Sequence, residues 1–267
     1  MPASETLKSR ANPLYKRLLA LKQQGAASGL CLIEGPKLAS EAMGAGLTLV
    51  EAAASPRAET TPAGAMALAA LHARGVPVRR MAEELVASLS EAETSQGLVA
   101  LAERPSFDPE RVFRATPLVL VVDGVQNPGN LGALLRSAEA AGATGALLTT
   151  GCADAFSWKA LRGSMGSAFR LPHLAGLTID HALEMLAARG VAAYATAADG
   201  ERRYDEVDLR GPVAIVVGRE GRGLPDAVRR RAGARLRIPL AEPVESLNVG
   251  VAAALVLFEA ARQRTSR

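Results

Sequence analysis

From residue 118 onward, short apolar runs alternate with longer amphipathic stretches. Leu118–Val122 is five aliphatic residues in succession, and comparable runs follow at Ala146–Thr149, Val191–Thr196, Val213–Val217 and Leu236–Leu240. Runs that are apolar on both faces mark strands buried in a parallel sheet. The stretches between them predict helices at Leu131–Ala141, Trp158–Phe169, Ile179–Ala188, Pro225–Ala232 and Leu247–Gln263. Strand alternating with helix predicts an α/β fold, a parallel sheet covered on both faces, with ligands at the carboxyl ends of its strands. The first hundred residues show a smaller α/β alternation. Asn12-Pro13 offers a capping side chain and then a proline that tolerates the first helical position, opening a helix to about Gln24. A strand at Leu30–Ile33, a helix at Lys37–Met43, a strand near Leu47–Val50 and a helix at Ala65–Ala73 follow. Short strands at Val76–Met81 and Leu98–Leu101 then flank an acidic helix. Residues 105–116 are polar and hold two prolines, which reads as a linker. The expected domains are residues 1–104, a smaller N-terminal α/β domain, and residues 117–267.

Composition narrows the class. The 267 residues are 49% hydrophobic and 22% charged, which excludes a disordered, collagen-like or disulfide-stapled chain. Aromatic residues are only 3%, so the core must be aliphatic. Cys31 and Cys152 match no metal spacing and read as free thiols in a reducing compartment. No metal is expected. No apolar run approaches the ~18 residues of a membrane span, and no charged-then-apolar leader is visible, so a cytoplasmic protein with no membrane partner is expected. Charge adds a partner. The net charge is +4, and residues 1–40 alone carry that excess, with Lys8, Arg10, Lys16, Arg17, Lys22 and Lys37 against Glu5 and Glu34. A basic stretch on a balanced body is either a solvated helix face or the footprint of a polyanion.

Three strand-to-loop junctions are polar and glycine-rich. The first runs from Asp123 through Asn127, Gly129, Asn130 and Gly132 into a helix carrying Arg136. Six residues separate Asn130 from Arg136, about 1.7 turns, so the two do not stack on one helix face. An arginine there suits an internal ion pair or an oxyanion clamp. The second, Gly218-Arg219-Glu220-Gly221-Arg222-Gly223, lacks both the dinucleotide fingerprint and the Lys-Ser/Thr of a P-loop. The third runs from Ile238-Pro239-Leu240 to Glu245-Ser246-Leu247-Asn248 and opens the last helix, where Ser246 could serve as cap.

Taken in order and spacing, the three junctions resemble the motifs of the SpoU (TrmH-type) RNA 2′-O-ribose methyltransferases. Leu161–Pro172 is also similar to a segment of that family, and Ser9–Lys16 and Ile33–Pro36 resemble its accessory RNA-binding domain. Two positions depart from the pattern: Glu242 stands where the family usually carries glycine, and Gly250 where it usually carries serine.

The resemblance implies a C-terminal sheet with a deep trefoil knot, a homodimer through that domain, and S-adenosylmethionine as methyl donor. It implies cofactor contacts, largely through the backbone, near Thr196, Gly218, Ile238, Leu240, Leu247 and Val249. It implies a catalytic group of Arg136, Asn130, Glu220, Ser246 and Asn248, and an RNA grip by Arg10, Asn12, Lys16, Arg17 and Lys37. The family sometimes treats the arginine as a general base. A guanidinium gives up its proton only above about pH 12, so Arg136 is better cast as stabiliser of the developing alkoxide, with phosphate or water taking the proton. The N-terminal domain favours ribosomal RNA, most of all 23S, as substrate over tRNA. Two other readings compete. A silent RNA-binding module of the same fold is countered by the presence of both Asn130 and Arg136. A nucleotide-dependent oxidoreductase is countered by the missing fingerprint.

Overall fold

The computed structural model describes residues 6–24, 29–90, 94–219, 224, 228, 231 and 233–265. Contacts divide them into two units. The first holds the described residues up to Pro105 together with Asp154–Phe169, and the second holds Ser106–Ala153 and the chain from Arg170 onward.

In chain order the first unit begins with α1 (Pro13–Gln24), β1 (Leu30–Glu34), α2 (Pro36–Gly44) and β2 (Leu49–Ala54). It continues with α3 (Pro56–Thr60), α4 (Pro62–Ala73), β3 (Val78–Arg80), α5 (Glu83–Leu89) and β4 (Leu98–Glu103). The strands form one sheet in the order β1-β4-β2-β3, with β4 antiparallel to both neighbours and β2 parallel to β3. Asn12 caps α1 as expected, its Oδ1 accepting the Leu14 N–H at 2.9 Å. Tyr15 and Leu18 are buried with Leu32, Leu89 and Leu101, so α1 turns Lys16 and Arg17 outward, while half-buried Lys22 donates to the Ser88 and Ser90 carbonyls.

The second unit runs through α6 (Pro109–Val112), β5 (Leu118–Val122), α7 (Pro128–Ala140) and β6 (Gly145–Thr149). Two short helices, α8 (Trp158–Ser164) and α9 (Ser167–Arg170), come next in the chain. Then follow β7 (His173–Leu177), α10 (Ile179–Ala187), β8 (Ala192–Thr196), β9 (Arg202–Arg203), β10 (Val213–Val217), β11 (Ala234–Arg237) and α11 (Val249–Thr265). The seven strands form a parallel sheet in the order β7-β6-β5-β10-β8-β11-β9. Every residue of β5, β6 and β10 is buried, as expected of central parallel strands. Two late strands enter between earlier ones: β10 lies between β5 and β8, and β11 between β8 and β9. The Arg264 guanidinium closes the end of α11, donating to the carbonyls of Thr116, Pro117, Leu209 and Gly211.

Several expectations need correction. The helix predicted over Trp158–Phe169 is two pieces, because Met165 (φ 50°) and Gly166 (φ 91°) are left-handed and end α8. That segment counts with the first unit. Asp154 is forked by Arg104 (3.0 and 2.7 Å), and the Trp158 indole N–H donates to Glu34. The stretch read as a linker contains α6, whose Val112 is fully buried. The edge strand β7, half-exposed and carrying Gly176, has no apolar run to announce it. The helix expected over Pro225–Ala232 falls largely outside the described residues.

Candidate active site

All strands of the second sheet run the same way, so the residues after β5, β8, β10 and β11 gather along one edge. A cavity of about 770 Å³ opens there. Thr196, Gly218, Ile238, Leu240, Leu247 and Val249, the six positions expected to touch the cofactor, all line it. Its floor is tied down. The Thr196 hydroxyl donates to the Val216 carbonyl (3.2 Å), and the Ala197 N–H donates to the Leu236 carbonyl (2.9 Å).

Beside the cavity, two helices begin with asparagines. Asn127 caps α7, its Oδ1 accepting the N–H groups of Gly129 (2.9 Å) and Asn130 (3.2 Å), with Pro128 at the first helical position. Asn248 stands before α11. Its Oδ1 accepts the Gly250 N–H (2.9 Å), its carbonyl accepts the Ala252 N–H (2.9 Å), and its Nδ2 donates to Asn130 Oδ1 at 3.3 Å. One side chain therefore caps a helix and laces it to the start of the other. This corrects the expectation for Ser246, which lines the cavity but does not cap α11. Gly250 is the residue whose N–H meets Asn248, and Glu242 is exposed and not part of the cavity lining.

Arg136 is exposed on α7, whose opposite side buries Leu131, Leu134, Leu135 and Ala138. It does not line the cavity. Asn130 and Asn248 are thus brought together, while Arg136 stands about 1.7 turns further along its helix. Glu220 lies outside the described residues.

The sequence reading passed over Arg219. This arginine lines the cavity, and its guanidinium lies against Gly124 and Gly151, both with positive φ. A Cβ at Gly124 would collide with it, so this glycine, two residues past β5, makes room for a cation from the loop after β10. Next to it, buried Asp123 accepts the Thr149 hydroxyl (2.8 Å), and that hydroxyl accepts the Gly124 N–H (3.1 Å). Cys152 donates to the Val122 carbonyl (3.2 Å), and burial raises its thiol pKa, so it is no thiolate nucleophile near neutral pH. Cys31 is likewise a free thiol, pushed by burial up to about 12. Among the described residues no group of three or more His, Cys, Asp or Glu gathers to hold a metal.

In the first unit, Arg10, Lys16, Arg17 and Lys37 are exposed. Asn12 is engaged as the cap of α1.

Comparison with known proteins fits this arrangement. Residues 117–258 match the model of the SpoU rRNA methylase family, and residues 12–100 match that of the MRM3-like substrate binding domain. A 23S rRNA guanosine 2′-O-methyltransferase of Bacillus subtilis (strain 168), RlmP, is 35% identical over 69% of this chain and 72% of its own. The RlmB enzyme of Xylella fastidiosa (strain Temecula1), also named for guanosine-2′-O methylation of 23S rRNA, is 37% identical over 72% of this chain and 80% of its own. Among solved structures, an AdoMet-bound rRNA methyltransferase from Sinorhizobium meliloti superposes with a TM-score of 0.85 at 31% identity, covering 98% of this chain and 99% of its own.

Proposed function

The chain belongs to the SpoU rRNA methylase family, and on that premise we propose that it transfers a methyl group from S-adenosylmethionine to a ribose 2′-hydroxyl of 23S ribosomal RNA. One observation carries the reading. The six family-matched cofactor positions, scattered from residue 196 to 249, line a single cavity beside the Asn130–Asn248 pair.

The cavity fits the cofactor. Its volume is within the range of small-molecule sites, and Ile238, Leu240, Leu247 and Val249 give it aliphatic walls for an adenosyl group. Strand-end backbone at Thr196 and Gly218 offers polar groups at the rim, and Arg219 is a cation suited to a carboxylate. When bound, S-adenosylmethionine supplies an electrophilic methyl on a sulfonium. The protein's own residues must do the rest. Asn248 holds Asn130, and Asn130 orients the ribose or Arg136. Arg136 receives the 2′-oxygen and stabilises the charge that develops as its proton leaves for phosphate or water. Ser246 shapes the methyl-transfer end of the cavity, and Glu220 steadies Arg136 or a neighbouring loop. In the first unit, Arg10, Lys16, Arg17 and Lys37 grip RNA phosphates, with Asn12 holding the helix that presents them.

Three further features go with this reading. The late insertion of β10 and β11 between earlier strands supports a trefoil knot in the second unit, an exception to the rule that protein chains do not thread themselves. A substrate of this kind supports a cytoplasmic location. Among the described residues no helix is long and apolar enough to cross a membrane. A homodimer is supported by α11, where Val251, Leu255 and Phe258, spaced four and three residues apart, are 50%, 38% and 49% exposed. Such a stripe calls for a covering partner. The protein is expected to sediment as a dimer at micromolar concentration and the Phe258→Glu variant as a monomer; a monomeric wild type would remove the dimer from the proposal.

The function itself is tested with tritiated S-adenosylmethionine, offering total ribosomal RNA and tRNA separately. The expected label is in ribosomal RNA, at one linkage that resists alkaline hydrolysis because its 2′-oxygen is methylated. Label in tRNA alone would reverse the substrate assignment. Cofactor binding without transfer to either RNA would leave an assembly intermediate as substrate. Neither binding nor transfer would favour the silent module.

A further inference from the structure

We propose that the first unit contains a pocket that reads one unpaired guanine base of the substrate RNA, built from Glu34, Trp158 and Arg162 with Lys37 at its mouth. The proposal rests on the reading of this protein as an RNA methyltransferase and adds a base-specific contact to it.

The pocket lies wholly within the first unit and encloses about 200 Å³, a volume suited to one flat base rather than a whole cofactor. Glu34, at the end of β1, Trp158 and Arg162, on α8, and Gln96, before β4, all line it. Its backbone is set for close approach: Gly35 has φ 88°, and a Cβ there would stand 3.0 Å from Gln96 Oε1.

Each group has a separate role in gripping a base. The Glu34 carboxylate is fixed on both sides, one oxygen accepting the Ser90 hydroxyl and the other the Trp158 indole N–H. A carboxylate only accepts, and each oxygen retains a further lone pair. Guanine is the base that presents two adjacent donors, N1–H and the N2 amino group, on its Watson–Crick edge. Adenine, cytosine and uracil each place an acceptor where the second donor is needed, and that acceptor faces a negative charge. The indole of Trp158, with the Arg162 guanidinium 5.5 Å from its ring centroid, adds an aromatic and a cationic surface for stacking. Lys37, exposed on the first turn of α2, is placed for the phosphate attached to that base. Single-stranded RNA is commonly read in this way, by stacking plus hydrogen bonds to an exposed base edge.

Trp158 is the chain's one tryptophan, so indole emission reports on this pocket alone. The test titrates the whole protein with short uridine oligomers carrying either one guanosine or one adenosine. The guanosine oligomer is expected to quench saturably at a concentration at least about tenfold lower than the adenosine oligomer. In Glu34→Gln the two oligomers should quench alike. In Arg162→Ala, an exposed position, both should need at least about threefold more oligomer. A thermal melt followed by the emission of Trp158, which belongs to the same unit as both substitutions, verifies that each variant is folded. Equal quenching by both oligomers in the wild type, no saturable quenching, or an unchanged guanosine preference in Glu34→Gln would overturn the proposal. Because emission reads binding and not methyl transfer, failure of the methyltransferase reading would show separately, as absent label in RNA with the quenching intact.

Discussion

Arg136→Ala is expected to lower methyl transfer about 10²–10³-fold while leaving S-adenosylmethionine binding and thermal stability unchanged. The magnitude is that of losing one well-placed donor to a developing oxyanion. The location of Arg136 makes the result easy to interpret. Its helix buries Leu131, Leu134, Leu135 and Ala138 on the other side, so α7 keeps its packing when an exposed arginine is shortened. Alanine is also a better helix former than arginine, so no helical stability is lost. Arg136 does not line the cavity proposed for the cofactor, which separates its loss from cofactor affinity. Arg136→Lys keeps the charge but not the planar fork and should recover only part of the rate. The measurement is single-turnover transfer of tritium, with cofactor binding measured in parallel. Turnover of Arg136→Ala within about threefold of wild type would mean that another group receives the 2′-oxygen, and Arg219, already at the cavity, would be next to test.

How far the sequence revealed this depends on whether a feature leaves a local mark. The central strands did, because burial on both faces forces unbroken apolar runs such as Leu118–Val122 and Val213–Val217. The edge strand β7 did not, because half of it is wet and Gly176 interrupts it. The cap of α1 was legible in Asn12-Pro13. At the last helix Ser246 was the expected cap, but the helix begins after Asn248, which accepts the Gly250 N–H and also bonds Asn130. The grouping of Asp154–Phe169 with the first unit depends on partners far off in sequence, Arg104 and Glu34. No periodicity encodes that.

The site divides along the same line. Composition and spacing could not point to the positions proposed for the cofactor, because contacts made through backbone leave no side-chain pattern; only motif resemblance singled them out. Arg219 was hidden for a different reason. Its significance comes from Gly124 and Gly151, which lie about 95 and 68 residues earlier in the chain and fold beneath it.

The second large effect concerns a residue that carries no chemistry. Gly200→Ala is expected to weaken S-adenosylmethionine binding at least about tenfold and to lower the melting temperature. Gly200 is buried in the loop between β8 and β9 and lies flat on β11. A Cβ there would stand 2.6 Å from the Arg237 nitrogen, 2.6 Å from the Leu236 carbonyl carbon and 2.8 Å from the Arg235 oxygen. All three are backbone atoms, so no side chain can swing aside. Either β11 or the loop must move, and overpacking of this kind costs about 1–3 kcal/mol. Both movable parts belong to the cavity proposed for the cofactor: Leu236 and Ile238 on one side, Ala197 and Ala198 on the other. The strain therefore appears as lost affinity as well as lost stability. Gly211→Ala, in the same unit with nothing within 4 Å of the new methyl, is the control and should change neither. Equilibrium binding of tritiated cofactor and a thermal melt on both variants decide the matter. If Gly200→Ala bound cofactor like the wild type, the loop after β8 would not be part of the cofactor site, and the cavity's assignment would have to be drawn from β10 and α11 alone.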